Sequence, residues 1–166
     1  MLYDFVEKGA PLEVPGVETI IPCIQREIER ARLEGVPVFY LCDGHEEDDP
    51  EFAAWPPHAV RGSRGAEIIA ELVPRPEDVI IYKTTYSSFY NTELEDMLRK
   101  FGATRLTITG LCTEICVLYT AVDAYMRGFE VTVPDGCTKG LTEEDHRFAL
   151  KQIRHILKPA QVASSG

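Results

Sequence analysis

The sequence lacks the segments by which proteins bind membranes or nucleic acids. Its 166 residues contain no apolar run long enough to span a bilayer and no segment with the pattern of a secretory signal. Lys and Arg number 17 against 27 Asp and Glu, the net charge is −10, and no basic cluster stands out. We therefore expect neither nucleic acid nor a membrane as a partner, since both attract basic surfaces.

Cysteines are few, and their spacing is irregular. The five cysteines form neither a disulfide framework nor a Cys-x-x-Cys redox motif, and they are not spaced as ligands of a structural zinc ion. This pattern predicts a protein of the reducing cytoplasm. No strand is followed by Gly-x-Gly-x-x-Gly, which argues against an oxidoreductase that binds a dinucleotide.

What the chain does contain is typical of a single α/β domain over residues 1–166. Hydrophobic residues make up 45% and charged residues 27% of the chain. Strand patterns alternate with helix patterns, which predicts a three-layer, doubly wound parallel sheet with helices on both faces. The predicted strands are 36–42, 79–82, 104–109, 129–133 and 161–163, and the predicted helices are 17–34, 66–72, 93–101, 117–126 and 143–157. A loop is expected at 134–141, and Thr142 with Asp145 resembles a variant capping box at the start of the last helix. In that helix, we expect Phe148, Ile153 and Ile156 to face the core.

Residues 110–117 connect a predicted strand directly to a predicted helix, and Cys116 lies at or near the first turn of that helix. Backbone N–H groups at a helix start have no partners within the helix, and the helix dipole is positive there. We therefore expect Cys116 to have a lowered pKa and to act as a nucleophile. The alternative is that Cys116 is a small buried residue of the helix.

Polar residues follow three of the predicted strands. They are Asp43 and His45, then Lys83, then Thr113 and Cys116. Ligands of α/β proteins bind beyond the carboxyl ends of parallel strands, so these residues should line one crevice. There the Lys83 ammonium would lower the pKa of the thiol and stabilise negative charge during attack. The alternative for Lys83 is a surface lysine whose stem covers apolar residues.

Asp43, His45 and His58 are residue types that bind divalent metal ions. Asp43 and His45 stand two residues apart at a strand end, and His58 lies in a loop stiffened by two prolines. Zinc or another divalent cation would be held by these three side chains, with Asp48, Asp49, Glu51 or water completing the shell. The alternative is that they are polar loop residues that cap helices and bind water.

Four motifs carry a resemblance to a known family. They are Asp43-Gly44-His45, Trp55-Pro56-Pro57-His58, Lys83 with Tyr86-Ser87 and Phe89, and Gly110-x-x-Thr113-x-x-Cys116-Val117. In this order and spacing they resemble the isochorismatase-like cysteine hydrolases, which include the nicotinamidases and N-carbamoylsarcosine amidase. The resemblance covers nearly the whole chain and implies a six-stranded parallel sheet with helices on both sides.

The resemblance implies a role for each matching position. Cys116 would be the nucleophile and Lys83 the catalytic lysine. The backbone N–H groups of Cys112 and Cys116 would form the oxyanion hole, next to a cis peptide bond between Leu111 and Cys112. The substrate pocket would be lined by Phe5, Trp55, Tyr86 and Leu111. The family also implies a homodimer or homotetramer.

The chain departs from the family pattern at two places. The family's catalytic Asp stands four residues before the position matched by Asp4, so the first strand is truncated here. We expect the natural protein to begin upstream, and its intact mass would test this. Without the catalytic Asp, we expect the 166-residue chain to be nearly inactive. The additional histidine that nicotinamidases place between the positions of His45 and His58 is replaced by carboxylates.

Together these patterns predict a cysteine hydrolase that cleaves a C–N bond of a small amide or ureido compound through a thioester. The chemistry itself requires no cofactor, and a zinc ion or other divalent metal is expected only from the Asp and His pattern. The alternative function is that of a catalytically inactive binding or assembly subunit with the same fold.

Overall fold

The computed structural model describes residues 1–157, and strands and helices alternate along them. The helices are α1 (Tyr3–Val6), α2 (Ile21–Leu33), α3 (Leu94–Lys100), α4 (Leu118–Met126) and α5 (Glu143–Ile156). The strands are β1 (Phe39–Asp43), β2 (Val79–Lys83), β3 (Arg105–Thr107), β4 (Gly110–Leu111), β5 (Glu130–Thr132) and β6 (Thr138–Lys139). The strand predicted at 161–163 lies outside the described residues. Within residues 1–157, no helix combines the length and apolar character needed to cross a membrane.

The six strands form three parallel pairs, β1 with β2, β3 with β5, and β4 with β6. Parallel strands connected through helices confirm the predicted α/β class. Among the described residues no hydrogen-bonded strand joins β1 to β3, so the ladders are separate pairs rather than the continuous sheet that we expected. In the register of the first pair, Asp43 stands beside Lys83.

Helices cover the strands on both faces, which gives the predicted three layers. Tyr40 of β1 packs against the apolar cluster that contains Ile21 and Ile24 of α2. Its neighbours Phe39 and Leu41 pack against the opposite cluster, which contains Leu94 and Leu98 of α3 and Ala124 of α4. Successive strand residues point to opposite faces, and both faces of β1 are therefore occupied by apolar contacts.

Helix α5 buries Ile153 as we predicted, but it does not bury Phe148 and Ile156. Phe148 and Ile156 are 57% and 63% exposed, whereas Ala149, Ile153 and Leu157 are buried. Residues four apart share one face of a helix, and Ala149, Ile153 and Leu157 form the buried face of α5 at that spacing. The predicted cap is present, because Thr142 Oγ1 accepts a hydrogen bond from Asp145 N at 3.1 Å.

Two segments differ from their predicted secondary structure. The helix expected at 66–72 is replaced by two short 3₁₀ turns, Arg64–Ala66 and Ala70–Leu72. The loop expected at 134–141 contains β6, which is only two residues long. Strands this short have no apolar run, and their pairing with a distant segment is what defines them.

The cysteines require one correction. Cys23 of α2 forms a disulfide with Cys137, which directly precedes β6. The two residues are 114 positions apart in sequence, and only the fold brings them together. Irregular spacing therefore did not exclude a bond, and the argument from cysteine spacing to a reducing compartment loses its support. Cys42, Cys112 and Cys116 are free.

Candidate active site

Cys116 lies in the turn Thr113–Val117, hereafter the nucleophile turn, which connects β4 to α4. The turn is π-helical, and Val117 N donates to Cys112 O at 3.1 Å. Wide helical turns of this kind are frequent at functional sites. The peptide bond between Leu111 and Cys112 is cis, as the sequence resemblance implied.

The ammonium group of Lys83 lies between a sulfur atom and a carboxylate. Its Nζ is 3.4 Å from Cys116 Sγ, donates to Thr85 O at 2.8 Å, and donates to the carboxylate of Asp43. Lys83 is only 5% exposed, which excludes the alternative of a surface lysine. The contact with Asp43 was not predicted, although both residues end adjacent parallel strands.

Burial and charge act in opposite directions on this group of residues. Burial raises the pKa of the Cys116 thiol; Lys83 lowers it, Asp43 raises it, and the pKa lies above its ordinary value of 9.0. Our expectation of a lowered thiol pKa is therefore wrong, because desolvation of the thiolate outweighs the nearby ammonium. Burial also opposes the charge of Lys83, but Cys116 and Asp43 outweigh it and raise the pKa of that amine.

Cys116 lines a cavity of about 100 Å³ whose walls are mostly apolar. The four predicted pocket residues all line it: Phe5, Trp55, Tyr86 and Leu111. Trp55 Nε1 donates to Tyr86 OH at 3.0 Å, which joins two walls that come from separate loops. Sequence reasoning missed further apolar residues of the lining, among them Leu12, Ile108, Ile115 and Leu141. They carry no chemical signal in the sequence, and only the packing of loops brings them to the cavity.

Asp43, His45 and His58 are brought together, and one ligand atom from each lies within 4.8 Å of the others. Asp43 and His58 also line the cavity. The Nδ1 atom of His45 is 3.0 Å from Asp49 Oδ2, and its Nε2 is buried without a hydrogen-bond partner. His58 Nδ1 is 2.8 Å from Pro56 O, which leaves Nε2 as its available nitrogen.

These contacts fit a divalent metal ion such as zinc. Hydrogen bonds to the second ring nitrogen orient metal-binding histidines in this way. Two imidazoles and a carboxylate are a donor set that zinc accepts, and an unpartnered nitrogen in a buried position is otherwise costly. Glu51, one of several carboxylates that the sequence offered as a further ligand, also lines the cavity.

Asp4 has a structural contact near this site. Its Oδ2 accepts a hydrogen bond from Ala59 N at 2.8 Å. Ala59 has a positive φ of 46° and directly follows His58. The carboxylate of Asp4 therefore fixes the backbone of the loop that carries His58.

The chain is similar to known proteins over nearly its whole length. The isochorismatase domain model matches residues 1–165. The uncharacterized isochorismatase family protein PncA of Bacillus subtilis (strain 168) is 37% identical over 136 residues, which are 76% of this chain and 74% of that protein. A probable inactive nicotinamidase of Arabidopsis thaliana is 30% identical over 167 residues, covering 94% of this chain and 85% of that one.

Solved structures give the same result. The pyrazinamidase of Pyrococcus horikoshii in complex with zinc superimposes with a TM-score of 0.87 at 34% identity, over 92% of this chain and 89% of that one. This match confirms the predicted fold, and the family model confirms the resemblance carried by the sequence motifs. The chain belongs to the isochorismatase family.

Proposed function

We propose that this member of the hydrolase family cleaves a C–N bond of a small amide or ureido compound, with Cys116 as the nucleophile. The observation that carries the proposal is the 3.4 Å contact between Cys116 Sγ and Lys83 Nζ beside an apolar cavity. A nucleophile next to a fixed positive charge in a site shielded from water suits a reaction that develops negative charge on oxygen.

The proposed reaction has two steps. The sulfur of Cys116 attacks the carbonyl carbon, and the N–H groups of Cys112 and Cys116, with the Lys83 ammonium nearby, stabilise the oxyanion. The C–N bond breaks, the thiol proton leaves with the nitrogen as ammonia or an amine, and a thioester remains. Water then cleaves the thioester and restores the thiol.

The volume and the walls of the cavity favour a small, flat substrate. Its volume of about 100 Å³ accommodates a compound about the size of one ring. Phe5, Trp55, Tyr86 and Leu111 offer apolar and aromatic surface on which such a ring would pack. Relatives described as a pyrazinamidase and a probable inactive nicotinamidase are consistent with an aromatic carboxamide.

A divalent cation would be held by Asp43, His45 and His58 at the side of the cavity. When bound, such an ion supplies Lewis-acid polarisation of a group that faces it. The chain's own residues supply the nucleophile, the oxyanion donors and the apolar walls.

The test is release of ammonia from a panel of carboxamides and carbamoyl compounds by the purified chain. The family's catalytic Asp has no counterpart among the 166 residues, so we expect only slow turnover of at least one aromatic carboxamide. Cys116→Ala should abolish that turnover, because it removes the nucleophile. Cys42→Ala, which removes a buried free thiol of β1 that does not line the cavity, is the matched control. Turnover that persists in Cys116→Ala would contradict the mechanism.

A non-catalytic binding subunit is the second candidate. The raised pKa of Cys116 and the relative described as probably inactive favour it. The same panel distinguishes the two functions. A wild-type chain that binds one of the compounds saturably and releases no ammonia from any of them would be a binding protein.

A further inference from the structure

The nucleophile turn is anchored to α5 through a buried hydroxyl. Thr113 Oγ1 lies 2.7 Å from His146 Nδ1, and Thr113 is completely buried. Buried hydroxyl groups in native structures nearly always have a hydrogen-bond partner, and an orphaned one is costly. His146 is therefore the residue that satisfies Thr113 from outside the turn.

A second contact holds the same turn from the neighbouring residue. Glu114 Oε1 accepts a hydrogen bond from Leu141 N at 2.7 Å. Gly140 makes room for this arrangement, because a side chain there would collide with the Glu114 carboxylate and approach Cβ of His146 within 3.0 Å. The start of the turn is thus clamped between residues 140–141 and the first turn of α5.

The clamped residues stand beside the atoms of the proposed reaction. Thr113 directly follows Cys112 and precedes Cys116 by three residues, so both proposed oxyanion N–H groups flank it. A shift of the turn would also change the 3.4 Å separation of Cys116 Sγ from Lys83 Nζ. Misplacement of reacting groups by about 1 Å can cost about a hundredfold in rate.

We propose that His146 is a positioning residue of this enzyme, which acts through Thr113 to hold the nucleophile turn in register with Lys83. The inference rests on the proposed function for its kinetic consequence, whereas the placement of the sulfur can be tested without any substrate. His146 lies in α5 and does not line the cavity, so it contributes through Thr113 alone.

The experiment compares two pairs of variants. Thr113→Val and His146→Leu remove the hydrogen bond, while Thr113→Ser and His146→Asn keep a polar atom at the same position. We expect the first pair to lose about tenfold or more in kcat with KM changed less than about twofold. The second pair should retain most of the wild-type kcat. The double variant Thr113→Val/His146→Leu should be no slower than the slower single variant, because both remove one interaction.

A second readout is the rate at which iodoacetamide alkylates Cys116 at fixed pH, located by mass spectrometry. We expect alkylation to be at least about fivefold slower in Thr113→Val and His146→Leu, because loss of the hydrogen bond lets the sulfur move away from Lys83. Thr113→Ser and His146→Asn should be alkylated at near wild-type rates. Should Thr113→Val fail to fold, the two His146 variants make the comparison alone.

Equal alkylation rates in all four variants, or equal loss of kcat in His146→Asn and His146→Leu, would overturn the positioning role. The alkylation measurement separates this inference from the proposed function. A wild-type chain that releases no ammonia overturns the function, and the alkylation rates still show whether His146 positions Cys116.

Discussion

At the scale of single residues, the environment of Cys116 determines how its reactivity depends on pH. Burial and the Asp43 carboxylate favour the neutral thiol, while Lys83 favours the thiolate, and the pKa is raised above 9.0. Little thiolate is present at neutral pH in the resting protein, and its fraction rises as the pH approaches the raised pKa. Attack on a substrate therefore depends on losing the thiol proton during the reaction and on the fixed charge of Lys83 nearby.

This predicts that alkylation of Cys116 by iodoacetamide accelerates steadily between about pH 7 and about pH 10. Lys83→Met removes the charge that lowers the thiol pKa, so its alkylation at about pH 8 should be several-fold slower than that of the wild type. Lys100→Met, a change at an exposed lysine of α3, is the control for loss of one positive charge. Fast labelling that does not depend on pH over this range would show a thiolate in the resting protein and contradict the prediction.

A second prediction at this scale concerns the buried nitrogen of His45. We expect the chain to bind one equivalent of zinc, and His45→Ala and His58→Ala each to abolish that binding, because each removes one of the three candidate ligands. Metal content after dialysis and the rise in Tm on adding zinc are the measurements. His155→Ala, at an exposed histidine of α5, is the matched control and should bind zinc as the wild type does. A wild-type chain that takes up no zinc in either measurement would refute the metal site.

At the scale of elements, the sequence was informative wherever a pattern is local. The apolar runs that became β1 and β2 and the cap at Thr142 are set by neighbours in sequence, and they were found. The two-residue strand β6 and the exposure of Phe148 and Ile156 in α5 were missed, because distant packing partners determine both. A π-helical turn around Cys116 has no sequence signature, although the strand-to-helix connection itself was predicted.

In the candidate site, too, features set by residue type were predicted and features set by distant contacts were not. Chemically distinctive residues such as Cys116, Lys83 and His45 were found from the sequence and its resemblance to a family. The contacts that adjust their chemistry were not found. Asp43 was predicted only as a metal ligand, and its second contact with Lys83 depends on the register of β1 and β2. The prediction of a lowered pKa for the Cys116 thiol was wrong for a related reason. The sequence indicates that a helix starts near Cys116, but it does not indicate how deeply the thiol is buried.

At the scale of the whole molecule, the disulfide links one outer helix to the strand that supports the site. Cys23 belongs to α2, and Cys137 O accepts a hydrogen bond from Gly110 N at 2.9 Å. Gly110 and Leu111 of β4 pair with β6 directly after Cys137, and β4 leads into the nucleophile turn. The bond therefore ties α2 to the segment that pairs with β4, although the two cysteines lie 114 residues apart in sequence.

A cross-link over so long a loop restricts the unfolded chain strongly, so we expect Cys23→Ala to lower the free energy of unfolding by about 2–4 kcal/mol in buffer without reductant. Urea denaturation of the wild type and the variant, each with and without a phosphine reductant, measures this. The reductant should lower the wild type to the level of Cys23→Ala and leave the variant unchanged. Cys42→Ala keeps the bond and should remain sensitive to the reductant, because Cys42 is a free cysteine. A wild type whose urea midpoint is the same with and without reductant would show that the bond between α2 and the segment before β6 does not stabilise the protein.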